Sequence, residues 1–132
     1  MDRLFLDANV LFSAAYREES ALQRLWELAD AILVTSGFAL EEARRNLDSA
    51  AQAARLEKLA SSIELVSEAA SPGIPLGVEL HDKDEPILAA AISTDCTHLI
   101  TGDRRHFGRL FGETIEGVLV LTPRSYLDRR TS

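Results

Sequence analysis

Leu4-Phe5-Leu6-Asp7 is a short apolar run that stops at an acid, and His98-Leu99-Ile100-Thr101-Gly102-Asp103 ends the same way late in the chain. Short, unbroken apolar runs mark strands buried on both faces, because neither side-chain direction then meets water. Three more candidates lie at residues 31–34, 63–66 and 118–121. Helical stretches separate them. Residues 9–16 form a short one. Ser20 can cap the next, where Ala21, Leu22, Leu25, Trp26, Leu28 and Ala29 make an apolar stripe that assigns Trp26 to the core. Residues 38–47 and the alanine-rich 50–60 read as helices, and Pro123 opens a last one. Residues 86–94 are apolar nearly all round, so that helix should be deeply packed. Pro72, Gly73, Pro75 and Gly77 mark 70–80 as a surface loop. Strands alternating with helices predict an α/β fold with a parallel sheet of about five strands covered on both faces.

Composition narrows the classes. The 132 residues are 46% hydrophobic and 27% charged, enough for a real core, and with no repeat or boundary residues 1–132 read as one domain. No apolar run is long enough for a bilayer, and the first residues lack a signal-peptide pattern, so no membrane role and a cytoplasmic location are expected. Cys96 is the only cysteine, which excludes an internal disulfide and a zinc cluster and leaves a small packed residue. The net charge of −7 counts against a passive nucleic-acid binder, whose affinity comes from neutralising phosphates. It counts less against an enzyme whose acids surround a divalent ion, and it suits a basic partner.

In parallel sheets, ligands gather at the carboxyl ends of the strands. Asp7 and Asp103 both lie there, and they would share a crevice if their strands are neighbours; each also suits a helix cap. Asp82, Asp84 and Glu85 crowd the start of the apolar helix, where acids complement its dipole, and periodicity does not choose among them. Glu41 and Glu42 both lie away from the apolar side of their helix. Clustered carboxylates repel and lose stability unless something positive joins them. Hard oxygen donors with few histidines suit Mg²⁺ or Mn²⁺, which activate water against a phosphodiester.

The residues themselves then carry a resemblance. Leu6-Asp7-Ala8-Asn9-Val10-Leu11 resembles the opening motif of PIN-domain ribonucleases, in which an Asp ends the first strand. Glu42-Ala43-Arg44-Arg45-Asn46-Leu47 is similar to the second motif, a Glu followed five residues on by a leucine, which prefers Glu42 to Glu41. Asp84, heading the alanine-rich helix, resembles the third motif, and Thr101-Gly102-Asp103 with His106-Phe107 the fourth. The resemblance covers essentially the whole chain. It implies a three-layer α/β/α sandwich, Mg²⁺ or Mn²⁺ dependence and endonuclease action on RNA. Stand-alone members of this size are often VapC-like toxins, so a cognate antitoxin and a homodimer are implied partners. By the same resemblance Asp7, Asp84 and Asp103 would be metal ligands, Glu42 would help place the attacking water, and Asn9 would assist beside Asp7. Thr101 would orient Asp103 through its hydroxyl.

Arg104, Arg105 and His106, directly after Asp103, are candidates to touch the RNA backbone. Arg44 and Arg45 have similar standing. Arg129 and Arg130 read as a flexible tail, and His81 and His98 as structural. A silent scaffold of the same fold, acting through protein partners, is the competing reading, but it has no need of four acids. A phospho-accepting regulator is disfavoured because Asp7 comes too early and no lysine follows the last strand suitably. Hydrolases with a nucleophilic Asp want a second Asp where this chain has Asn9.

Overall fold

A computed structural model describes residues 1–67, 78, 80 and 84–130. The loop expected over 70–80 and the readings of His81 and Asp82 therefore fall almost wholly outside the described residues.

Six strands form one sheet: β1 (Asp2–Leu6), β2 (Ala31–Ser36), β3 (Glu64–Val66), β4 (His98–Ile100), β5 (Thr114–Ile115) and β6 (Val118–Leu121), in the order β3-β2-β1-β4-β6-β5. Every pairing among β1, β2, β3, β4 and β6 is parallel. The helices are α1 (Ala8–Tyr16), α2 (Gly37–Asn46), α3 (Ala50–Ala60), α4 (Glu85–Ser93), α5 (Arg104–Phe107) and α6 (Pro123–Arg130). They flank the sheet in three layers, with α1, α2 and α3 packed on one another. Leu4, Phe5 and Leu6 of the central β1 have no exposed surface, the burial that an apolar run without alternation requires. In α4, Ile87 to Ala91 are all buried, so that helix is packed as its composition predicts.

Three expectations are corrected. The sheet has a sixth strand, β5, antiparallel to β6. It turns through Glu116 and Gly117, both at positive φ (49° and 88°), the backbone a tight two-residue hairpin demands. Residues 21–27 form a 3₁₀ rather than an α-helix. Ser20 does cap it, accepting from Leu22 N at 3.2 Å. This connector is pinned at both ends, by Gln23 donating to Ala14 O (2.8 Å) and Trp26 Nε1 to Leu59 O (2.9 Å), leaving Trp26 only partly buried. Arg130 is not a flexible tail: it pairs with Asp30 and Asp2 and lies over the Tyr126 ring, whose hydroxyl donates to Asp2. His98 is structural, with Nδ1 2.8 Å from Thr97 Oγ1 and its ring edge-on to Tyr126. Cys96 is buried.

Candidate active site

The β1–β4 pairing sets Leu6 opposite Ile100, which puts Asp7 level with Thr101 at the carboxyl end of the sheet. Asp7 N donates to Ile100 O at 3.0 Å, extending the ladder by one bond before the chain turns into α1. The neighbouring strands that a shared crevice requires are thus present.

Both acids cap helices as well as facing the crevice. Asp7 Oδ1 accepts from Ala8 N at 2.8 Å, and Asp103 Oδ1 from His106 N at 3.0 Å. Each cap uses one carboxylate oxygen, and the other meets side chains at the cleft. Asp7 Oδ2 accepts from Thr101 Oγ1 (2.8 Å) and Asn9 Nδ2 (3.1 Å). Thr101 also accepts from Asp103 N at 3.1 Å, so its hydroxyl holds the carboxylate of Asp7 and only the backbone of Asp103. That differs from the orientation of the Asp103 side chain expected from sequence. Asn9 Oδ1 accepts from Gly102 N at 2.7 Å, closing the network. A Cβ on Gly102 would stand 3.3 Å from that oxygen, tight enough to press on the Asn9 side chain.

Asp84 precedes α4 without a side-chain capping hydrogen bond, and its side chain turns to the cleft. Its Oδ2 lies 2.8 Å from His106 Nδ1, which is also 2.9 Å from Asp103 Oδ2. Ligand atoms of Asp84, Asp103 and His106 all fall within 4.8 Å of one another. The fourth acid comes from α2: Glu42 lines the cleft, whereas Glu41 is exposed and pairs with Arg44. Arg44 is held between Glu41 and Glu57.

The result is a cleft of about 390 Å³ lined by Asp7, Asn9, Phe12, Glu42, Asn46, Asp84, Asp103 and His106, together with Ala8. Among the described residues, no lysine or arginine lines it. Burial pushes the Asp7 carboxyl from 3.8 up to about 6, and the charges of Asp84 and Glu42 push the same way, against the hydrogen bonds from Thr101 and Ala8. An excess of buried negative charge facing hard oxygen donors fits a divalent cation such as Mg²⁺ or Mn²⁺.

Sequence reasoning missed two lining residues and misplaced a third. Asn46 sits one turn after Glu42 on α2, and the i, i+4 spacing was the available signal. Phe12 shares the cleft-facing side of α1 with Asn9 by the i, i+3 rule. His106 bridges two carboxylates inside the cleft instead of reaching outward. Arg104 and Arg105 are exposed on α5 and do not line this cleft.

The model of the PIN domain family matches residues 3–105. No curated protein matches the chain. Among solved structures, VapBC2 from Rickettsia felis bound to a DNA fragment from its promoter is similar, with a TM-score of 0.67, 16% identity, and coverage of 91% of this chain and 98% of that one. Mycobacterium tuberculosis VapC20, a sarcin-ricin loop cleaving toxin, is similar at a TM-score of 0.58 and 13% identity, covering 85% of this chain and 98% of that one. At such identities these likenesses speak to the fold. The family match spans most of the chain and includes the acids at the ends of β1 and β4: this chain belongs to the PIN-domain family.

Proposed function

We propose that this chain is a divalent-metal-dependent endoribonuclease, acting as the toxin of a toxin–antitoxin pair. The observation that carries the reading is the convergence of Asp7, Glu42, Asp84 and Asp103, from four separate elements, on one cleft of nucleotide size. Asp7, Asp84 and Asp103 would hold Mg²⁺ or Mn²⁺. Such an ion, when bound, activates water and balances charge on the leaving oxygen of a phosphodiester. The chain's own groups do the positioning. Thr101 and Asn9 fix the Asp7 carboxylate, and Asp103 is fixed by its cap on α5. Glu42, which lines the cleft from α2, would hold the attacking water and accept its proton.

The toxin role, and with it an antitoxin partner, rests on the fold neighbours, one a VapBC assembly and one a toxin that cleaves the sarcin-ricin loop. Growth arrest on expression, relieved by the product of an adjacent small reading frame, checks that role. No helix among the described residues is long and apolar enough to cross a membrane, and a cytoplasmic site of action is part of the proposal. A homodimer is part of the proposal, and light scattering tests it. For the chemistry, purified Asp7→Asn should fold and lose Mn²⁺-dependent RNA cleavage. Equal cleavage by parent and variant would overturn the role given to Asp7, and a parent that neither cleaves RNA nor binds Mn²⁺ by calorimetry would favour a scaffold of the same fold.

A further inference from the structure

Beside the acidic cleft, the carboxyl end of the sheet carries a second one of opposite character. It measures about 250 Å³, and its walls include Arg104, Phe111, Thr122, Ser125 and Arg129. Among the described residues, no carboxylate lines it. Arg104 directly follows Asp103, and Thr122 directly follows β6, the strand paired with β4. The two clefts are therefore adjacent along one edge, at the ends of β1 and β4 and then of β6. Arg104 lies over the Phe111 ring, with Cζ 6.0 Å from its centroid. Among the described residues, neither Arg104 nor Arg129 is paired with a carboxylate, whereas Arg3, Arg44 and Arg130 are each held by acids.

We propose that this basic cleft is an RNA-backbone subsite, in which Arg104 and Arg129 hold a phosphate next to the one cut in the acidic cleft. The proposal builds on the nuclease reading and adds the path of the substrate. An acidic pocket repels a polyanion, and a chain of net charge −7 offers phosphate little general attraction. Local cations next to the cutting site supply the missing attraction. Ser125 and Thr122 add hydroxyls, and Phe111 offers a ring to a neighbouring base.

The test is the salt dependence of binding. A labelled single-stranded RNA oligonucleotide is titrated with the full chain in EDTA, which prevents cleavage, between about 50 and 200 mM salt. Arg104→Ala and Arg129→Ala should each weaken binding about fivefold and flatten the log–log salt slope by about 0.7, the value for one lost phosphate contact on a single strand. Arg104→Lys should keep most of the slope. Lys58→Ala, which removes the same charge from α3, should leave it unchanged, with folding of every variant checked by circular dichroism. Unchanged slopes for both arginine variants, or an equal change for Lys58→Ala, overturn the subsite while leaving the nuclease reading intact. A glutamate-rich peptide that binds this cleft more tightly than RNA also overturns it, in favour of a protein partner. If the parent chain neither binds nor cuts RNA, both readings fall together.

Discussion

The two clefts at the carboxyl end of the sheet are built from opposite materials. The first gathers four carboxylates and, among the described residues, no Lys or Arg; two of the acids, Asp7 and Asp84, are only 6% and 8% exposed. The second has two exposed arginines and, among the described residues, no acid. Exposed guanidiniums cost the fold little, since water screens them. Buried carboxylates do cost stability, and the Asp7 carboxyl, raised to about 6, registers that cost. A cost retained in the fold, with two side chains, Thr101 and Asn9, and the backbone N–H of Ala8 arranged to keep the carboxylate in place, suits chemistry at the first cleft and holding at the second.

The largest effect should come from breaking the acidic side. Asp7→Asn or Asp84→Asn should lower Mn²⁺-dependent RNA cleavage at least about a thousandfold in a single-turnover assay, because each removes a charge that the bound ion requires. Second is a pH effect on stability. The folded Asp7 keeps its proton up to about 6 while the unfolded one loses it near 3.8, so the folded state binds more protons across that window. Stability contributed by this group therefore falls as pH rises from about 4 to 6, by about 3 kcal/mol in all. Denaturant unfolding without metal should show that fall in the parent and not in Asp7→Asn. The carboxylates of Glu57 and Glu64, held low by Arg44 and Arg3, act in the opposite sense but equally in both proteins, and cancel. Added Mg²⁺ should restore stability to the parent alone.

Third, Thr101→Val removes the hydroxyl that donates to Asp7 and accepts from Asp103 N. Loss of such an orienting partner should reduce cleavage about ten- to a hundredfold while the fold persists, as kinetics and thermal melting would show. The smallest effect is on the basic side, the roughly fivefold loss of RNA affinity expected for Arg104→Ala. A loss of cleavage for Arg104→Ala as large as that for Asp7→Asn would erase the distinction between the two clefts.

What could be read from the sequence follows the strength of the local signal. The buried strands declare themselves as unbroken apolar runs, and Asp7 and Asp103 gain meaning from standing at their ends. Strand β5 does not, because two residues, Thr114 and Ile115, give no periodicity; the only mark is the turn at Glu116 and Gly117. Residues 21–27 carry a helical stripe, but the segment is 3₁₀, with Gln23 and Trp26 hydrogen-bonded to carbonyls outside it. The wheel could not separate Glu41 from Glu42. In the fold, α2 turns Glu42 to the cleft and Glu41 to Arg44. Arg129 and Arg130 differ for a reason no local pattern holds, since the partners of Arg130 are Asp2 and Asp30, far away along the chain. His106 is similar: its place between Asp84 and Asp103 depends on where α4 begins relative to β4.

The most direct test is a crystal of the full chain soaked in Mn²⁺ and measured at a wavelength where manganese scatters anomalously. The account predicts a peak in the cleft, about 2.0–2.3 Å from carboxylate oxygens of at least two of Asp7, Asp84 and Asp103. A cleft without such a peak, or manganese bound only elsewhere on the molecule, would contradict it.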